Sequence, residues 1–156
     1  YKPRRTFYIE LQPLNDNATL EAMQINRLNL KELAKKGISP TEAMHRFDDW
    51  LAEVTPSGQK PIFVAFNAAF DWMFVNDYFF RYLGYNPFGH SALDIKSYYM
   101  GMAGTTWGET TLIRLGPHYL PNQVLSHHAL QDAIDQACMF EKMLENAKFK
   151  NVGGKL

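Results

Sequence analysis

The chain has 156 residues, 46% of them hydrophobic and 21% charged, with 10 glycines and 8 prolines. That mixture excludes a disordered or collagen-like chain and fits one domain with a sizeable core. The 16 basic and 16 acidic side chains cancel to a net charge of zero, so the overall field points to no polyanion or membrane surface, and any such partner must be held by a local site. No apolar run approaches the roughly 18 residues that span a bilayer, so no membrane partner is expected. The one cysteine, Cys138, forbids an internal disulfide and fits a reducing, cytoplasmic address.

In chain order, Thr6 to Leu11 places Phe7, Ile9 and Leu11 on one side and Tyr8 and Glu10 on the other, which predicts a half-buried strand ending at Pro13. Ala18 to Lys36 reads as helical, with Leu28, Leu30 and Leu33 as apolar points and Gly37 as the stop. Ser39-Pro40-Thr41-Glu42 is a capping box opening a helix that runs through Ala43, Phe47, Trp50, Leu51 and Val54. After the Pro56-Ser57-Gly58 turn, Ile62 to Phe66 is continuously apolar, as expected of a central parallel strand covered on both faces. Asn67 is placed to cap a helix over Ala68 to Leu83, with Gly84 as its terminator and Phe70 and Phe74 assigned to the core. Leu93 to Ile95 predicts a short strand leading to a helix around Tyr98 to Met102, then a mobile connection over Gly101 to Gly108. A last helix from His128 to about Ala147 carries Leu130, Ile134, Ala137, Phe140 and Leu144. Strands alternating with helices predict an α/β layer structure.

Two segments can carry chemistry. Asp71 lies in the first turn of a helix at the carboxyl edge of a parallel strand, where α/β sheets bind ligands and the helix dipole favours an ionised carboxylate. It could hold a hard cation such as Mg²⁺; alone, such a residue is more often a capping charge. In Ser126-His127-His128-Ala129-Leu130-Gln131-Asp132-Ala133, positions 127 and 132 would stand about 140° apart on a helix. They converge only if His127 precedes the helix. An imidazole there, with a pKa of about 6.5, can take a proton from an attacking water. Cys138 and the scattered His45, His90 and His118 match no zinc spacing. Lys35, Lys36, Lys60 and Arg114 are candidates for a backbone groove, and Trp107, with Phe70 beside it as a weaker candidate, for stacking on a terminal base.

Together the two segments resemble the second and third motifs of the DEDDh 3′-5′ exonucleases, the family of proofreading subunits, oligoribonuclease and ribonuclease T. The second motif, Asn-x-x-Phe-Asp after a hydrophobic strand, is matched by Phe63 through Asp71, and the third, His-x-Ala-x-x-Asp-Ala, by His127 through Ala133. Asn86-Pro87-Phe88 also looks like ribonuclease T. The resemblance implies a ribonuclease H-like mixed sheet flanked by helices. It implies a two-metal hydrolysis, with Mg²⁺ or Mn²⁺ as the pair of ions, Asp71 and Asp132 as two of four acidic ligands and His127 as general base. The partner would be a 3′ end of DNA or RNA, and relatives of this kind are usually homodimers. The family's first motif, Asp-x-Glu, occurs nowhere in this sequence. The resemblance therefore implies one or two further strands upstream, roughly 35 to 40 residues, with residues 1–149 an incomplete exonuclease-like domain and 150–156 a tail. A degenerate member that binds nucleic acid or protein without hydrolysis is the alternative, and a small-oligonucleotide hydrolase on the same scaffold is another.

Overall fold

The structure is a computed structural model that describes residues 5–120 and 128–153, with side chains up to 147. Its contacts gather into two compact units: Ile62–Trp72 with the chain from Ala92 onward, and the chain up to Pro61 with Met73–Ser91.

The second of these is aromatic. Its extended start keeps the expected alternation, with Phe7, Ile9 and Leu11 half-buried and Tyr8 and Glu10 exposed, but the predicted strand is reduced to one parallel bridge, Leu11 to Ile38. Ile38 N–H donates to Glu10 O at 2.8 Å and Gln12 N–H to Ile38 O at 2.9 Å. Ile38 stands between the end of one helix and the cap of the next, so only one residue of extended chain is free to pair. Gly37 permits this approach, because a Cβ there would meet Leu33 O at 2.6 Å and Gln12 N at 2.7 Å. The single helix expected up to Lys36 is two, α1 (Leu20–Asn26) and α2 (Leu30–Lys36). Asparagines break it: Asn26 Oδ1 accepts from Leu28 N–H, Arg27 turns left-handed at φ 56°, and Asn29 Oδ1 caps Lys31 and Glu32. Such side chains compete with the helical backbone for its amides.

Helix α3 (Pro40–Val54) starts as expected, with Ser39 Oγ accepting from Glu42 N–H at 3.3 Å and proline in the first turn. Helix α4 (Ala68–Leu83) spans the boundary between the units, and its Phe79 is fully buried with Met44 and Leu51. Phe7 stacks on Phe47 at 5.2 Å, Phe47 lies 5.4 Å from Phe79, and Phe88 meets Phe79 edge-on at 6.0 Å. The Asn86 side chain seats Phe88 by accepting its N–H and donating to Asn76.

The other unit holds the sheet. Strands β1 (Phe63–Ala65) and β2 (Ala92–Asp94) run parallel, in the register Phe63 to Ala92, Val64 to Leu93 and Ala65 to Asp94. Parallel pairing agrees with the sequence, and the chain is α/β, though mostly helical. Among the described residues these two strands are the whole sheet, and the larger ribonuclease H-like mixed sheet is not seen. Nor is β1 covered on both faces among the described residues: Ala65 is buried, but Val64 is 36% exposed and Ile62, just before it, 70%.

Helix α5 (Ile95–Ala103) follows β2 without a break and ends at Gly104, φ 65°. The connection expected to be mobile is the end of α5 and a 3₁₀ turn, Trp107–Thr110, in which buried Thr110 donates its hydroxyl to Trp107 O at 2.7 Å. Helix α6 (Leu112–Tyr119), absent from the sequence reading, carries a proline inside it. Helix α7 (Ala129–Gly153) continues past the 149/150 junction. Ile95, Leu115, Tyr119, Met139 and Met143 form the core. The buried line of α7 is Asp135, Met139 and Met143, and Leu144, expected inside, is 38% exposed. Unbranched methionines fill this irregular gap.

Candidate functional site at the carboxyl end of the strand pair

The site grows from the point where β1 stops. Phe66 N–H has left the ladder and donates to Gln136 Oε1 of α7 at 2.9 Å. Asn67 then adopts a left-handed conformation, φ 65°, turning the chain into α4. The cap expected of Asn67 is supplied from the neighbouring strand: Asp94 Oδ1 accepts from Ala68 N–H at 3.0 Å. The other oxygen of Asp94 accepts from Ser97 N–H at 2.9 Å and from Ser97 Oγ at 2.6 Å, opening α5. Burial works against the charge on Asp94, but the Ser97 hydroxyl and the amides of Ala68, Ser97 and Asn67 outweigh it and hold the carboxyl below its usual range.

Asp71 stands half-buried in the first turn of α4. Burial raises its pKa, and a hydrogen bond from its own backbone amide only partly offsets that. Asp132 stands half-buried in the first turn of α7, its N–H bonded to His128 O at 2.9 Å. One turn further, on the same helix face, is Gln136, pinned to Phe66. The face of α7 that carries Asp132 is thus held against the strand end from which Asp71 arises. Both carboxylates offer hard oxygen, the donor type that Mg²⁺ and Mn²⁺ take. Among the described residues no three His, Cys, Asp or Glu side chains converge as a cation cage. His127 lies outside the described residues.

Phe70 and Phe74, assigned to the core, are 58% and 52% exposed; the four-residue spacing gives a stripe but not the side on which it packs. Trp107 is 49% exposed, with Lys96 Nζ 3.9 Å over its ring. Of the proposed groove residues, Arg114 is engaged by Glu109 at 3.3 Å, and Lys35, Lys36 and Lys60 are exposed. Sequence reasoning missed Gln136, the second use of Asp94, Lys96, and the buried Asp135, which accepts from Gln131 Nε2 at 2.7 Å. The spacing of Asp135 to Met139 and Met143, four and eight residues on, was the available signal for its burial.

Asp71 and Asp94 lie at the carboxyl ends of the parallel strands of this α/β chain, the edge at which such sheets commonly bind ligands. No protein-family model matches the chain. Over 151 residues it is 38% identical to the 3′-5′ DNA exonuclease Cap18 of Escherichia coli, an alignment that takes in 95% of this chain and 81% of that protein. The chain belongs to this family of 3′-5′ exonucleases. Among the described residues no helix is long and apolar enough to cross a membrane.

Proposed function

We propose that the protein is a metal-dependent 3′-5′ exonuclease of the DEDDh type that releases nucleoside monophosphates from DNA ends, its strand pair being part of a ribonuclease H-like sheet. The choice of DNA over RNA rests on the name of the Escherichia coli relative. The observation that carries the site assignment is the Gln136 to Phe66 hydrogen bond, which brings the helix face of Asp132 to the strand end that leads to Asp71.

In this reading Asp71 and Asp132 hold divalent ions, which when bound supply charge stabilisation to the attacking and leaving oxygens. Half-burial of the two carboxylates keeps bulk water from competing for the donors. His127 takes the proton of the attacking water on an imidazole nitrogen. The water oxygen forms the new bond to phosphorus, the bond from phosphorus to the 3′ oxygen of the shortened strand breaks, and that oxygen is protonated from solvent. The family pattern assigns the two remaining ligands to Asp-x-Glu, which this sequence does not contain.

The absence of a three-ligand cluster among the described residues favours the second reading, a DNA-binding domain without hydrolysis. Mononucleotide release from 3′-labelled single-stranded DNA separates the two. The nuclease reading predicts release with Mg²⁺ or Mn²⁺, none with chelator, none in Asp132→Ala, and turnover lowered on the order of 10²-fold or more in His127→Ala. DNA binding without release under either metal selects the binder. An unaffected rate in Asp132→Ala removes that residue from the site.

A further inference from the structure

Lys96 joins the stacking candidate Trp107 in a cluster beside the strand ends. Lys96 lies in the first turn of α5, two residues after Asp94, with its ammonium 3.9 Å over the Trp107 ring and 5.9 Å from the ring of Phe66. It makes no ion pair among the described residues. The nearby acids are committed elsewhere: Asp94 to the amides of two helices and the Ser97 hydroxyl, Glu109 to Arg114 at 3.3 Å. An aromatic face orients a cation without neutralising it, so the charge of Lys96 stays available to an outside anion. Trp107 is half-exposed, yet its carbonyl is held by the hydroxyl of fully buried Thr110 at 2.7 Å. An indole kept in solvent on an anchored backbone has lost little freedom still to be given up on binding.

We infer that Lys96 and Trp107 form a nucleotide subsite for single-stranded DNA, with the ammonium on a backbone phosphate and the indole stacked on a base. A base and Lys96 cannot occupy one face of the indole together. Stacking therefore uses the open face, or displaces the ammonium toward the phosphate; both leave the pair engaged with one nucleotide. The subsite adjoins Phe66, whose amide fixes Gln136 one turn from Asp132. It would thus hold the strand next to the carboxylates of the proposed function, on which this inference rests.

The test measures binding of a short oligothymidylate by the full-length protein in chelator, where no hydrolysis occurs, and release of mononucleotide separately with Mg²⁺. Trp107→Ala should weaken binding about 5- to 150-fold, as expected for the loss of one stacked base. Trp107→Phe should recover part of the affinity while reducing the fluorescence quenching that DNA causes. Lys96→Ala should make the slope of log affinity against log salt shallower by about 0.7, and Lys96→Arg should restore it. Folded Trp107→Ala and Lys96→Ala proteins that bind as the parent does would overturn the subsite and leave the exonuclease reading standing. The expected binding losses in a parent that releases nothing with Mg²⁺ would support the subsite and sink the exonuclease reading.

Discussion

The two units of this chain spend their sequence differently. The aromatic unit buries Phe79 among Phe47 and Phe88, with Phe7 stacked on Phe47, and its polar side chains mostly cap helices or seat a loop. The sheet unit has a mixed core of Ile95, Leu115, Tyr119, Met139 and Met143, with the carboxylate of Asp135 and the hydroxyl of Thr110 buried beside it. Near the strand ends it adds Asp71, Asp94, Gln136 and Lys96, all partly covered. Apolar stacking stabilises without demanding exact partners, whereas a covered polar group is costly unless it is bonded. The aromatic unit puts stacked rings at its centre, and the sheet unit puts bonded polar groups beside its core.

Substitutions in each unit break that contrast at different sizes. Phe79→Ala should be the largest stability loss, about 3–5 kcal/mol, seen as a lower denaturant midpoint, with metal-dependent release intact wherever the protein remains folded. Asp94→Ala should cost about 1–2 kcal/mol, since it removes a cap shared by two helices. Because the Asp94 carboxyl is held low when folded, its contribution is complete above its unfolded pKa of about 3.9. It is lost as pH falls through the lower folded value, and Asp94→Asn should flatten that acid limb in thermal melts.

Asp71 has the opposite sign. Burial raises its folded pKa, so its charged form costs stability as pH rises from the unfolded value through the folded one. Asp71→Asn should therefore raise the melting temperature of the metal-free protein at neutral pH while ending nuclease activity; a lower melting temperature would show that the carboxylate is structural. Smallest is Arg46→Ala, which removes an exposed pair with Glu42 at 2.7 Å and should change stability by about 0.5 kcal/mol or less.

Local signals were legible in the sequence where the physics is local. The Ser39 cap, the ends of α3 and α4, and the alternation from Phe7 to Leu11 depend on neighbours within a few residues, and they stand. Features set by distant chain were not legible. Among the described residues the segment Thr6 to Leu11 has no partner of its own length and β1 pairs with β2 alone, and the cap of α4 comes from Asp94, 26 residues away. The same limit governs the site. The resemblance to the family's motifs marked Asp71 and Asp132, but only the structure shows Gln136 holding their elements at one strand end. Burial of Asp135 rather than Leu144 turned on the rotation of α7, which the position of Met139 and Met143 decides.

One carboxylate, that of Asp94, receives the opening amides of α4 and of α5. Neither amide can meet solvent through fraying of its own helix alone while that oxygen pair stays seated. Hydrogen exchange at Ala68 and Ser97 is therefore tied to a shared opening event, with similar protection at both positions. The first turn bearing Asp71 is tethered to the end of a strand that it does not belong to.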